Sequence, residues 1–214
     1  MRALTWCFVM FCLAMPAACP AAGANDDLLA RIATSSAALQ KAAAHISKIA
    51  TTEETWDYVY RLQNDTSLLN RTSTPAGYRP QEFSDMARTT AQLDLSLADQ
   101  LVNGKRFAID STPGVQARFV LSSADGSWQP VAIFIPKSYG STAVPLVVFL
   151  HGYQQTETQL LGWQTLRDLA DETGSIVVAP YGRGYSDFHG VAVGDVDDGI
   201  AAVESALHVD KGRL

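Results

Sequence analysis

The sequence predicts an α/β fold in which a helical segment precedes an antiparallel hairpin and then parallel strands joined by crossover helices. Three observations predict it. Apolar residues recur at helical spacing in the first half, two β-rich runs flank a turn signal, and continuous apolar runs then alternate with helical patterns. The chain has 214 residues, 47% of them apolar, and is therefore long enough to bury a core.

Residues 1–24 predict a secretory signal peptide that is cleaved after Ala24. Arg2 precedes an apolar run from Leu4 to Met15, and small residues follow that run. The run is shorter than the roughly 20 apolar residues that cross a bilayer, so we expect no transmembrane segment and a secreted or periplasmic protein. A lipoprotein anchored through Cys19 is the less favoured alternative. Every cysteine lies in this leader, which excludes disulfides and thiol chemistry elsewhere.

Charge and ligand spacing exclude several classes of function. The formal net charge is −6 and the basic residues are scattered, which argues against a nucleic-acid or anionic-membrane partner. No set of His, Cys, Asp or Glu has metal-ligand spacing, and we expect neither a metal nor a cofactor. Asp195, Asp197 and Asp198 crowd a predicted helix start, where carboxylates suit the helix dipole. The sequence leaves the oligomeric state open.

A helical N-terminal region is predicted over residues 25–105. Its first helix runs from Asp26 to Ile49, and its second begins at Thr52 and includes Leu62. Prolines and a glycine between Asn64 and Gln81 predict a loop. A further helix is expected between Phe83 and Val102.

A partial α/β domain is predicted over residues 106–214. Two β-rich runs, Ala117–Ser122 and Val131–Ile135, flank a turn signal and predict an antiparallel hairpin. The apolar run Val144–Leu150 predicts a strand buried on both faces. After this strand the sequence predicts a single helix over Glu157–Thr173 and a second buried strand over Ser175–Ala179. A last helix is predicted over Asp195–His208.

Together these elements resemble the N-terminal part of the α/β-hydrolase superfamily. The resemblance is to the secreted esterase branch, polyhydroxyalkanoate-depolymerase-like and feruloyl-esterase-like enzymes, which is related to prolyl-oligopeptidase catalytic domains. It covers Arg118 to Leu214. The segments that carry it are the strand ends and the loops after them: Ile133-Phe134-Ile135-Pro136, Leu150-His151-Gly152, Val178-Ala179-Pro180, Tyr181-Gly182-Arg183-Gly184, Asp195-Val196 and Val209-Asp210-Lys211-Gly212-Arg213-Leu214.

The resemblance implies roles for the loop after the strand Val144–Leu150. The backbone N–H of Tyr153 would belong to an oxyanion hole, and Gly152 and His151 would shape the loop. We expect His151 to bond loop backbone rather than to carry protons. Tyr153 stands where a second glycine is common in the family, and Val193 where a glutamate is frequent.

Two further residues are candidates for substrate binding, namely Arg183 and Tyr185. Arg183 either contacts a substrate carboxylate or pairs with an acid nearby, and the sequence does not decide between the two.

The family's nucleophile does not occur in this chain. The resemblance implies that a strand and a Gly-x-Ser-x-Gly turn follow the segment ending at Leu214, but no such motif is present, and neither are the later acid and histidine. Ser186 is a poor substitute because its neighbours Asp187 and His189 lie on the same loop, whereas a triad converges from separate elements. Because the sequence stops before the central strand of the family's sheet, we expect an apolar sheet edge without a partner strand.

We therefore expect a fragment of a secreted serine hydrolase, most favourably one that cleaves small-molecule or polymeric carboxylic esters and is inactive as it stands. A serine peptidase of the prolyl-oligopeptidase type is the alternative among enzymes. An exported, non-catalytic binding or interaction protein on a hydrolase-like scaffold is the alternative outside them.

Overall fold

The computed structural model describes residues 25–43, 52–73, 81–152, 155–184 and 186–213. The predicted α/β fold is confirmed, with helices first, then a hairpin and a parallel strand pair. The elements are α1 Asp26–Ala43, α2 Thr52–Ser73, α3 Gln81–Asn103, β1 Gly114–Leu121, β2 Trp128–Ile135, β3 Leu146–Val148, α4 Glu157–Gly162, α5 Gln164–Thr173, β4 Ile176–Pro180 and α6 Val191–Ala206. The predicted signal peptide, with Ala24 and Cys19, lies outside the described residues. None of the helices within these ranges is long and apolar enough to span a membrane.

Helices α1, α2 and α3 pack around a core of their own. Each contributes a stripe of buried apolar side chains, as helical spacing requires: Leu28, Ile32, Leu39, Val59, Leu62, Leu69, Ala91, Leu97 and Leu101. Burying a side chain of this size contributes about 1.5–3 kcal/mol. The cluster extends to strand β1 of the hairpin through Ala117 and Phe119, whereas the two faces of the sheet have clusters of their own. The division of the chain into two domains stays a prediction.

Helix α2 extends further than the sequence predicted. The loop expected from Asn64 is wrong over residues 64–73, which are helical. Leu62 and Leu69 lie seven residues apart, both fully buried on one face of α2, and this apolar face continues the helix until the prolines begin. The predicted end of the first helix at Ile49 lies outside the described residues.

The sheet contains four strands in the order β1-β2-β4-β3. The predicted hairpin is confirmed because β1 pairs antiparallel with β2, and its turn is closed by a hydrogen bond from Ser122 N to Ser127 O of 2.8 Å. Strand β4 pairs antiparallel with β2 and parallel with β3. One face of the sheet packs against α6, and the other packs against α4 and α5.

Strand β3 is less buried than its apolar run predicted. It is three residues long and lies at an edge of the sheet, so the prediction of burial on both faces is wrong. Val147, Phe149 and Leu150 are 41%, 38% and 46% exposed. Beside the start of β3, Val144 forms an isolated parallel bridge with Val209 near the end of the described chain.

The predicted helix from Glu157 to Thr173 is two helices. Trp163 has the extended conformation φ −72°, ψ 122°, which ends α4 and begins α5. Arg167 donates from Nη1 to the carbonyls of Leu161 and Gly162 at 2.5 and 2.7 Å, and so satisfies two of the backbone acceptors that a helix end leaves open. The predicted stop at Gly174 is confirmed, since that residue is left-handed with φ 64°.

Helix α6 begins four residues before the predicted position. Its buried stripe starts at Ala192 and continues through Asp195 and Gly199 to Val203. The explanation of Asp195 by a helix start is therefore wrong, because this aspartate belongs to the buried face.

Candidate functional site at the ends of strands β3 and β4

The residues singled out by the sequence meet where β3 and β4 end. Because the two strands run parallel, their carboxyl ends lie at the same edge of the sheet, where ligands bind in open α/β sheets. The loop after β3 carries His151 and Gly152, and the loop after β4 carries Arg183. We call this edge the crest.

His151 ties the two loops of the crest together. Its Nε2 lies 2.8 Å from the carbonyl oxygen of Tyr181, and its Nδ1 lies 3.1 Å from the carbonyl oxygen of Gly152. Carbonyl oxygens only accept hydrogen bonds, so whichever ring nitrogen of His151 carries a proton donates to backbone. The ring is 8% exposed and packs against Phe188, with 5.1 Å between ring centroids. His151 thus contacts backbone in both loops of the crest.

Gly152 is held by a side chain from the same loop. Its N–H donates to Oε1 of Gln155 at 3.1 Å, and the N–H of Gln155 donates back to the carbonyl of Gly152 at 3.1 Å. A Cβ on Gly152 would lie 3.3 Å from that Oε1, a tight contact. Tyr153, whose N–H the resemblance places in an oxyanion hole, lies outside the described residues, and its role stays a prediction.

The loop after β4 is compact and partly left-handed. Gly182 has φ 58°, and a Cβ there would meet the ring of Phe188 at 2.2 Å, so only glycine fits. The hydroxyl of Ser186 donates to the carbonyl of Gly182, which leaves it bound to backbone rather than to a histidine. Tyr185 lies outside the described residues.

Arg183 is engaged by two aspartates. Its Nε and Nη2 lie 2.5 and 3.0 Å from the two carboxylate oxygens of Asp195, and its Nη1 lies 2.6 Å from Asp125 in the hairpin turn. Hydrogen bonds from these carboxylates raise the pKa of Arg183 above its ordinary value, and the guanidinium holds the pKa of Asp125 well below its usual range. Of the two alternatives left open, the acid pairing is present. Contact with a substrate carboxylate stays a prediction.

A buried charged group from the helical segment meets the crest, and the sequence did not predict it. Arg61 of α2 is 5% exposed. Its Nη1 lies 2.8 Å from Glu157 Oε1 at the start of α4 and 3.5 Å from Asp94 Oδ1 of α3, and its Nε lies 3.2 Å from Asp57. The guanidinium also lies over the Tyr181 ring, 4.4 Å from the centroid. Arg61 therefore contacts Glu157, which follows the loop after β3, and Tyr181, which lies in the loop after β4.

Carboxyl groups outnumber the guanidinium in this buried group, and burial favours the neutral form of two of them. Burial raises the pKa of Asp94 to about 6, although Arg61 opposes the rise. Burial, and then the nearby charge of Asp94, raise the pKa of Asp65. Burial alone would lower the pKa of Arg61, but Glu157 and the other acidic groups raise it above its ordinary value. Within the described residues, Tyr58 Oη and Asp65 Oδ2 are buried without a hydrogen-bond partner.

Two cavities open beside Tyr181 and Asp57, between α2 and the crest. The first has a volume of about 330 Å³ and is lined on its α2 side by Asp57, Tyr60 and Asn64, and on its crest side by Gln155, Gln159 and Tyr181. We call it the polar cleft. The second, of about 420 Å³, is lined by aromatic rings including Phe119 and Trp128. No group of three or more acidic, histidine or cysteine side chains within the described ranges is arranged to hold a metal ion.

No family model and no curated protein matches the sequence. Among solved structures, the chain is similar to FphF of Staphylococcus aureus, a fluorophosphonate-binding serine hydrolase in its substrate-bound form, with a TM-score of 0.39 and 16% identity. The match covers 47% of this chain and 44% of that one, so the chain spans less than half the length of that hydrolase.

Proposed function

We propose that the chain is the N-terminal part of a secreted serine hydrolase that cleaves carboxylic esters. The supporting observation is the position of His151-Gly152, in the loop that follows a strand parallel to its neighbour and ending at the crest. Backbone N–H groups in such a loop can face a ligand bound outside the strand ends. The leader sequence supports export.

In this proposal the loop after β3 contributes to transition-state stabilisation rather than to nucleophilic attack. A serine supplied by following chain would attack the ester carbonyl and form an acyl-enzyme, while a backbone N–H beside Gly152 holds the developing oxyanion. One preorganised donor of this kind contributes about 3–4 kcal/mol. The bond between His151 and the Tyr181 carbonyl favours preorganisation because it ties the loop to the end of β4.

The proposal is tested by reading the coding sequence beyond Leu214. We expect an open frame that encodes a strand and then Gly-x-Ser-x-Gly, and we expect the extended protein to be labelled by a fluorophosphonate probe and to hydrolyse short-chain p-nitrophenyl esters. The 214-residue chain and the extended protein with that serine changed to alanine are the controls. A stop codon with no such remnant in any frame contradicts the proposal, and faster cleavage of a proline-containing peptide would indicate the peptidase alternative.

A specific observation favours a second candidate, an exported, non-catalytic binding protein. The helical segment contacts the crest through the Arg61 ion pairs, and Ser186, the serine considered as a substitute nucleophile, is bonded to backbone. Circular dichroism and size-exclusion chromatography of residues 25–214 distinguish the candidates. A monomer favours the binding protein, whereas self-association of the folded chain favours the hydrolase fragment, because the apolar edge at β3 then lacks a partner strand.

A further inference from the structure

The polar cleft between α2 and the crest has the lining of a binding site. Its volume of about 330 Å³ lies at the lower end of the range of about 300–1,000 Å³ typical of small-molecule sites. It opens next to the loop that holds Gly152, because Gln155 belongs to both.

The lining of the polar cleft is suited to hydroxyl groups. None of the described residues that line it has an aliphatic side chain, so an apolar ligand would leave its polar groups unsatisfied. The side-chain amides of Asn64 and Gln159 make no hydrogen bond to other described residues, and each offers two donors and an acceptor. Asp57, half-buried, adds a carboxylate acceptor. Neighbouring hydroxyl groups both donate and accept, as these side chains require.

The charge in the polar cleft does not favour an anion. The one guanidinium in its described lining is that of Arg61, and its donors are directed to Glu157, Asp94 and Asp57. An anionic ligand would have to displace a buried carboxylate, which costs several kcal/mol because the displaced ion loses its partner.

Aromatic rings complete the lining. Tyr60 is 61% exposed, although its neighbours Tyr58 and Val59 are buried, and it lines the polar cleft together with Tyr181. A tyrosine offers an apolar face and a polar tip at one position. A sugar ring matches this pair of surfaces because its C–H groups lie on its faces and its hydroxyls lie at its rim.

The two sides of the polar cleft are held together by contacts of Arg61 that do not involve a ligand. Arg61 joins α2 to α4 through the bidentate contact with Glu157, 2.8 and 3.4 Å, and stacks on the Tyr181 ring. These contacts hold the two sides of the polar cleft at a set distance. Rigid sites lose less entropy when they bind.

We infer that the polar cleft binds an uncharged sugar. Tyr60 and Tyr181 provide the surface against which the ring packs, and Asp57, Asn64 and Gln159 bond its hydroxyl groups.

Binding is measured on the full chain by saturation-transfer NMR and isothermal titration calorimetry. The probes are the neutral disaccharides xylobiose, cellobiose and maltose, with citrate and hexanoate as charged and apolar comparisons. We expect at least one disaccharide to bind and citrate and hexanoate not to bind. Tyr60→Ala, Asn64→Ala and Gln159→Ala should each weaken binding about tenfold, which corresponds to about 1.4 kcal/mol.

Gln63→Ala is the matched control, since Gln63 is exposed beside Asn64 on α2 and is not part of the described lining. It should leave the affinity unchanged, and thermal melts should show that all variants fold. The inference is overturned if no disaccharide binds to the folded chain, or if Gln63→Ala weakens binding as much as Asn64→Ala does. If sugar binds but the extended protein is not labelled by the fluorophosphonate probe, only the proposed hydrolase function is refuted. If the protein is labelled but no sugar binds, only the inference about the polar cleft is refuted.

Discussion

Asp94 and Asp65 are carboxyl groups inside the protein, each 2% exposed, within reach of one arginine. An ionised carboxylate is costly to bury, so the native state holds protons that the unfolded chain would release. For Asp94 the pKa rises from 3.8 to about 6 in the folded protein. Because the folded pKa is the higher one, the proton stabilises the fold at low pH, and that stabilisation is lost as the pH rises from about 4 to about 6.

Asp94→Asn should remove this loss of stability. An asparagine stays neutral at every pH, so the free energy of unfolding should fall less between pH 4 and pH 6 than it does in the unmodified protein. Each pH unit of that interval contributes about 1.4 kcal/mol while only the native state holds the proton. Urea denaturation at several pH values measures the difference. Asp27→Asn, at an exposed site on α1, should leave the pH dependence unaltered, and an unaltered profile for Asp94→Asn would refute the explanation.

The residues at the crest divide into those that local sequence could indicate and those that it could not. His151 and Arg183 lie in the loops that follow strands, where backbone or acidic partners are to be expected, and their partners are of those kinds. Arg61 lies in a helix at ordinary spacing, and its partners Asp94 and Glu157 are distant in the chain. One sequence feature did indicate a buried charge. Arg61 and Asp65 lie on the same face of the helix as the apolar residues Leu62 and Leu69.

At the scale of elements, the break between α4 and α5 lies where α4 packs closely against α3. Apolar spacing is continuous through Trp163, so the sequence predicted one helix. Gly162 approaches α3 so closely that a Cβ would lie 2.6 Å from Thr90 Oγ1 and 2.9 Å from the carbonyl oxygen of Met86. Such a contact forms only after the chain has folded, and no local pattern encodes it.

Gly162→Ala should therefore destabilise the protein. The added methyl group would push α4 away from α3, and overpacking of this kind costs about 1–3 kcal/mol. Gly194→Ala is the matched control because that site, inside α6, has nothing within 4 Å of the new Cβ. There we expect a gain of up to about 1 kcal/mol from the better helix propensity of alanine. Chemical denaturation measures both, and equal effects would contradict the contact argument.

The position of strand β3 in the sheet could not be predicted from the sequence either. Its apolar residues correctly predicted a strand, and parallel pairing with β4 followed from the order of elements. Its place at the sheet edge, with Phe149 and Leu150 partly exposed, depends on which strands lie beside it. Composition does not contain that information.

In the whole molecule, the helices and the sheet are joined by one apolar cluster and one group of ion pairs. Phe119 of β1 lies edge-on to Tyr58 of α2 at 6.0 Å, and Arg61 contacts Glu157 across the same boundary. The general class of fold could be predicted because it depends on periodicity within each element. The joining of the two parts could not, since it depends on contacts between residues nearly a hundred positions apart.

The helical segment and the sheet should therefore unfold together. Scanning calorimetry of the chain should show one transition, and Arg61→Met should lower its midpoint as a whole, because Glu157 would stay buried without its cation. The loss of one partner of a buried pair costs about 3–5 kcal/mol. Arg31→Met, at an exposed site on α1, should leave the midpoint in place. Two separate transitions, of which Arg61→Met moves only one, would contradict this prediction.

Arg61 pairs with carboxylates of two helices, Asp94 of α3 before the hairpin and Glu157 of α4 after it. This pairing restricts how the gene can recombine. A fusion that replaced everything before β1 with a foreign domain would leave Glu157 buried and uncompensated unless that position changed too. The hairpin is thus a poor crossover point, and the two halves are expected to be inherited as one unit.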